Sequence, residues 1–193
     1  MNVPIRLMTP VRADWIAGGF RLLSLRGPAF VRVEPLAADL GVEPGGFYSH
    51  FNDLRAFHLL MQHSWAEVAG QSFARTAAQR DASAEDRLLA LAERASLLTE
   101  AEATGEGPAL EPAMRDWARV DPAACMAVRR VDVRRLEDLT ALLAGAGQTL
   151  ALARQRAEAF YAALIGLESL RLTSGVAMRG PLMAAARAAL HSS

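Results

Sequence analysis

Apolar side chains recur along this chain at spacings of three and four, the rhythm of an amphipathic helix, and no segment alternates strictly as a half-buried strand would. The first run predicts a helix over 11–26, with Trp15, Ile16, Phe20, Leu22 and Leu23 on its buried side and Gly27-Pro28 as its stop. Two short helices follow, 33–40 and 44–50. Each has a proline in its first turn (Pro35, Pro44), where a missing N–H costs no hydrogen bond. Asn52-Asp53 caps a longer helix over 54–78 that carries Phe57, Leu60, Met61, Trp65, Val68 and Phe73, and Arg80-Asp81 breaks it. Ser83-Ala84-Glu85-Asp86 resembles a capping box for a helix reaching about Thr99, with Leu88, Leu91, Ala95 and Leu98 on one side. Residues 101–108 read as a loop, and a short helix spans 111–118. Asp121-Pro122 then opens a helix to about Ala144, ended by Gly145 and Gly147. The most apolar helix, 150–173, carries Phe160, Tyr161, Leu164, Leu167 and Leu170; Gly180-Pro181 starts a last one ending at Leu190. The expected class is therefore all-α, about nine helices, with no strand and no internal repeat.

The stretch Val33–Phe51 carries the most information. Leu36, Ala37 and Leu40 make one apolar face, and Ala37 is small enough for a second helix to approach. Gly41 stands where the chain must turn sharply, and Val42, Phe47, Tyr48 and Phe51 form the second face. That arrangement is the signature of a helix-turn-helix, whose second helix can enter a DNA major groove.

Composition changes this picture in one respect. The 193 residues suffice for one large or two small domains, and 52% apolar with 22% charged argues against disorder. No uninterrupted apolar run approaches the ~18 residues of a membrane span, and the first fifteen residues lack the apolar centre of a signal peptide. A cytoplasmic protein without membrane contact is expected. The single cysteine, Cys125, excludes an intramolecular disulfide and reads as a small buried hydrophobe. All 21 basic residues are arginine, and they balance 21 acids. The first sixty residues hold six Arg against five acids, a net of +1. A DNA-binding surface normally carries a clear positive excess; here Arg12, Arg21, Arg26, Arg32 and Arg55 have to suffice.

From Trp15 to Phe57 the chain resembles the N-terminal domain of the TetR family of bacterial regulators. The resemblance rests on Gly27, Val33, Leu36-Ala37, Leu40-Gly41-Val42, Gly45, Phe47-Tyr48 and His50-Phe51, about 45 residues, while the rest matches only in length and helicity. It implies a helix-turn-helix domain over 1–52 and a helical effector-binding and dimerisation domain over 53–193. It also implies that Tyr48 and His50 contact phosphates and that Gly46 and Ser49 face the groove. Glu43, Pro44 and Gly45 complete the implied reading element, and Arg32 stands ready for a phosphate or a guanine edge. Four positions depart from the family. Glu43 replaces the usual Thr or Ser, Pro44 a Lys, Gly46 a hydroxyl residue and Leu54 a Lys. Each departure removes a contact that positions the protein on the DNA backbone. The same turn and core residues would equally build a trihelical scaffold that reads no DNA.

Other chemistry is scarce. His58 and His63 are five apart, off one another's helical face and without a carboxylate or cysteine at ligand spacing, so no zinc site is expected. The sequence lacks a nucleophile elbow, a phosphate-cradling glycine loop and a paired-carboxylate constellation, and no cofactor or enzymatic activity is expected. The run Arg129–Arg135, with Asp132, Glu137 and Asp138 at helical spacing, reads as a salt-bridged solvent face. The helix 150–173 interleaves Ala159, Ala163 and Gly166 with large apolar residues, as a helix buried on two sides would. The family pairs this helix with its symmetry mate in a homodimer, which would set two reading helices roughly 34 Å apart on a palindrome. The resemblance further implies a pocket among the middle helices, for which Trp65, Met114, Trp117, Met126 and Phe160 are the candidates, beside Phe73, Leu91 and Leu98. With no fixed charge in that set, a small apolar or aromatic effector is expected. The functional expectation is a ligand-responsive repressor of transcription acting on double-stranded operator DNA. The alternative is a dimeric small-molecule-binding or interaction protein whose DNA-reading surface has decayed.

Overall fold

A computed structural model describes residues 10–78, 82–103 and 110–190. Eight α-helices run in the order α1 Arg12–Arg26, α2 Val33–Leu40, α3 Leu54–Ala77, α4 Ala84–Ala103, α5 Leu110–Ala118, α6 Pro122–Gly145, α7 Leu150–Ser174 and α8 Arg179–Leu190. Short 3₁₀ helices at Pro28–Phe30 and Pro44–Ser49 flank α2, and no strand occurs among the described residues. None of the helices is long and apolar enough to cross a membrane, again among the described residues. The all-α expectation is met.

Local chemistry sets the boundaries. The Asp53 carboxylate accepts from the Ala56 N–H at 2.7 Å to begin α3, and Asp121 does the same for Ala124 to begin α6. Ser83 and Asp86 cap each other reciprocally, the Ser83 N–H donating to the carboxylate while Asp86 N–H donates to Oγ at 3.0 Å. Gly41 ends α2 in the left-handed region (φ 69°), which lets Val42 N–H reach back to the Ala37 carbonyl at 2.9 Å. Two expectations need correction. The helix expected to stop near Thr99 continues as α4 to Ala103, into the stretch read as loop. The element expected as a helix over 44–50 is a six-residue 3₁₀ helix, since Pro44-Gly45-Gly46 combines a fixed φ with two poor α-helix formers. The predicted break at Arg80-Asp81 and the loop residues 104–108 lie outside the described residues.

Two apolar cores form. The first gathers Trp15, Leu22, Leu23, Val31, Leu36, Phe47, Phe51, Phe57, Met61 and Trp65, and extends to Met114, Trp117 and the α6 residues Ala124, Ala127, Val128 and Val131. The second joins α4 (Leu88, Leu91, Ala92), the later part of α6 (Leu139, Leu142, Leu143), α7 (Ala153, Ala157, Phe160, Tyr161) and α8 (Leu182, Ala186, Ala189). Helix α6 serves both. Helix α1 crosses α3 closely: a Cβ placed on Gly19 would lie 2.6 Å from Met61 Sδ and 2.8 Å from Phe57 Cζ. Cys125 is exposed rather than buried, because Ala124, Ala127 and Val128 take the inward stripe of α6 and leave position 125 outside it.

Candidate nucleic-acid interface and the charged cluster behind it

The aromatic floor of the N-terminal unit positions its candidate reading surface. Phe47 is fully buried and meets Trp15 and Phe57 edge-on, each at 5.4 Å between ring centroids, and Phe51 at 4.9 Å. With Phe47 locked inward, its neighbours face out: Glu43, Pro44, Gly45, Gly46 and Ser49 are exposed, and Tyr48 is 61% exposed. Arg32, the residue before α2, is exposed as well. Not every group is equally free. Ser49 Oγ donates to the Gly46 carbonyl at 2.7 Å, and His50 is half-buried with Nε2 3.0 Å from the Pro10 carbonyl. Asp39 is held by Arg21, and the Arg12 guanidinium lies over the Phe51 ring. Gly45 and Gly46 offer no side chain there, so a nucleic acid laid on this face would meet only their backbone.

An αL turn joining α2 to a second short helix, both laid on α1, with α3 leading on into a helical bundle, is decisive. The fold is that of the TetR regulators. No family model matches the sequence and no curated protein matches it. Solved structures do. A TetR transcriptional regulator from Legionella pneumophila superposes with TM-score 0.74 at 12% identity, covering 98% of this chain and 97% of the other. The reduced form of Escherichia coli NemR gives 0.72 at 18% identity, covering 92% and 94%. FadR from Bacillus subtilis, solved in complex with stearoyl-CoA, gives 0.63 at 16%, covering 93% and 96%. The TetR fold therefore extends across nearly the whole chain, well beyond the 45 residues that suggested it.

The pocket candidates do not converge on one place. Trp65, Met114 and Trp117 are buried together in the first core, Phe160 belongs to the second, and Met126 is 67% exposed on α6. Phe73 and Leu91 pack in the second core, while the Leu98 side chain lies outside the described residues. Trp117 also touches the N-terminal unit through His58. Its ring meets His58 edge-on at 4.9 Å, and His58 Nε2 is 2.8 Å from the carbonyl of Val31, two residues ahead of α2.

Between the two cores stands a charged cluster that the linear pattern did not reveal. Arg135 forks onto Glu111, Nη1 to Oε1 at 2.9 Å and Nη2 to Oε2 at 3.1 Å. Arg115 forks onto Asp132 at 3.1 and 2.7 Å, and its Nη2 also reaches Glu111 Oε1 at 2.9 Å. Tyr161 O–H donates to Asp132 Oδ1 at 2.7 Å and accepts from both arginines, at 3.0 Å from Arg115 and 3.2 Å from Arg135. The Arg135 guanidinium lies 5.7 Å from the centre of the Phe73 ring. Burial alone would lower the pKa of Arg115, but its hydrogen bond to Asp132 and the charge of Glu111 outweigh that and raise it. Arg135 is raised as well, Glu111 overcoming the same burial penalty. Burial pushes the Tyr161 phenol up, against the opposing pull of Arg135, so it stays protonated and remains a donor to Asp132. Within the run expected to form a solvent face, Arg134 does pair with Asp138, but Asp132 and Arg135 turn inward. A sequence signal existed. Asp132 and Arg135 sit four and seven residues after Val128 and so continue its buried stripe.

Proposed function

We propose that this protein is a ligand-responsive transcriptional repressor that binds a palindromic operator as a homodimer and releases it when a small effector occupies the helical domain. The observation that carries the reading is the TetR fold with an intact, aromatic-floored helix-turn-helix whose Tyr48 and Arg32 stand exposed. Residues 1–52 would contact DNA, with Tyr48 and His50 on phosphates, Gly46 and Ser49 facing the groove, Arg32 at a phosphate or a guanine edge, and Glu43, Pro44 and Gly45 completing the reading element. Residues 53–193 would bind effector and dimerise, chiefly through α7, whose outer face holds Ala159, Ala162 and Gly166. Trp65, Met114, Trp117 and Phe160 would contribute apolar walls to an effector site, and Met126 a more superficial contact. The FadR neighbour's stearoyl-CoA supports a largely apolar effector body. Repression would be relieved in proportion to the effector's preference for the state with misplaced reading helices. The link from Trp117 through His58 to Val31 offers a route by which a shift of α5 reaches α2.

A second reading, a ligand-binding or interaction protein that has lost DNA recognition, is favoured by one observation: a reading element that is a 3₁₀ helix with two bare glycines behind Glu43. Fluorescence anisotropy against DNA tiled from the flanks of its own gene, at two salt concentrations with random competitor, separates the two. Sub-micromolar binding to one fragment that survives competition supports the regulator. Weak or indiscriminate binding supports the second reading.

A further inference from the structure

We propose that Glu111 occupies an anion cradle formed by Arg115 and Arg135, and that the effector is an organic acid, an apolar or aromatic body carrying a carboxylate, that displaces it. This deepens the ligand-responsive reading and rests on it for its regulatory consequence, though not for the binding itself. Two guanidiniums converge on one oxygen of Glu111, both at 2.9 Å, and a third N–H reaches its other oxygen at 3.1 Å. Two oriented forks are the geometry best matched to a carboxylate.

The two carboxylates of the cluster are not equivalent. Asp132 lies midway along the 24-residue α6 and ties down both Arg115 and the Tyr161 hydroxyl. Glu111 is the second residue of the nine-residue α5 and binds nothing but the two arginines among the hydrogen bonds of the cluster. If Glu111 swings out, Asp132 still holds Arg115, Tyr161 still accepts from Arg135, and three N–H donors are freed in place. The cradle keeps its shape and gains one net positive charge, which an incoming carboxylate restores to balance. Phe73, partly buried beside Arg135, gives an aromatic or alkyl body a face to lie against. An attached carboxylate competes at an effective concentration on the order of millimolar or above, so an external acid gains its advantage from that body. Losing Glu111 frees the start of α5, and Trp117, two residues beyond Arg115, is the residue that touches His58. Sequence reasoning found no fixed charge for the effector site because these arginines were assigned to a solvent face or left unplaced.

Benzoate is the probe, with benzamide and benzylamine as neutral and cationic controls. Calorimetry on the full chain should show Glu111→Gln and Glu111→Ala binding benzoate at least tenfold more tightly than the wild type, and neither control binding at all. Equal benzoate binding by folded variants and wild type, or binding of benzylamine, overturns the proposal. Should both variants fail to fold, the wild type still decides. The arginine Nε–H resonances of Arg115 and Arg135 should shift with benzoate and not with benzamide, and unmoved resonances overturn the cradle. DNA anisotropy on the same samples separates the two levels. Benzoate binding without any specific DNA complex leaves the cradle standing and defeats the regulator. A specific DNA complex without benzoate binding does the reverse.

Discussion

The two halves of this molecule are held by opposite physics. Around Phe47 the chain packs four aromatic rings, Phe47 and Phe51 tilted and the other pairs edge to face, with the exposed Arg12 lying over Phe51. Around Tyr161 it half-buries two arginines and two carboxylates where α5, α6 and α7 meet. Apolar packing is non-directional and tolerates small shifts, whereas a forked ion cluster has essentially one good arrangement and is costly when half-broken. The proposed DNA-reading platform would draw on the first kind of rigidity, and the proposed effector-released joint on the second.

Substitutions can break or sharpen that contrast. The largest effect is expected at the aromatic centre. Phe47→Ala should cost about 4 kcal/mol, measured by denaturant unfolding, because the ring is fully buried and its neighbours cannot collapse onto the gap. Arg135→Met comes next, at about 3 kcal/mol, since it leaves Glu111 half-buried without its fork. Replacing Glu111 and Arg135 together by Gln and Met should recover a good part of that loss, whereas no second change near position 47 rescues Phe47→Ala. A double-mutant cycle that proved additive would remove the distinction between the halves. Gly19→Ala follows, near 1 kcal/mol, with the crowding against Met61 and Phe57 exceeding the helix propensity gained.

A smaller effect has a defined pH sign. Tyr161 has a folded pKa above its unfolded value of 10.0, so the folded state keeps the proton that the unfolded state loses. Its contribution is complete below pH 10 and declines as pH rises beyond it. Thermal unfolding should therefore show a stability loss that sets in as pH rises past about 10 and is reduced in Tyr161→Phe. Smallest of all, Arg154→Ala should change stability by less than about 0.5 kcal/mol, as expected for a pair in which both side chains are more than half exposed.

The sequence announced one half far better than the other, and for a physical reason. Leu40-Gly41-Val42, the proline after it and the buried Phe47 are neighbours in the chain, so a local rule of turn geometry and helical spacing brings them together. Helix starts at Asp53, Ser83 and Asp121 were legible for the same reason, because a cap is a contact across three residues. The charged cluster joins Glu111, Arg115, Asp132, Arg135 and Tyr161 from three helices; apart from Glu111–Arg115, one turn apart, its partners are 17 to 46 positions apart. Rules for pairs at i+4 see Arg134 with Asp138 and cannot see Arg115 with Asp132. The short 3₁₀ form of the reading element was likewise hidden, since Pro44 suits the first turn of either helix type and only the two glycines after it tip the balance. The exposed Cys125 and Met126 show a third failure: an apolar residue at a helix start gives no sign of which side it faces.

That outward-facing thiol has a use of its own. Cys125 is the only cysteine in the sequence, and it is exposed in the opening turns of α6, close in sequence to the end of α5. A nitroxide attached there labels each protomer once, with no engineered site and no background. In the proposed symmetric pair the spins would report a single distance, and pulsed dipolar spectroscopy would then measure whether α6 moves when the proposed acid binds.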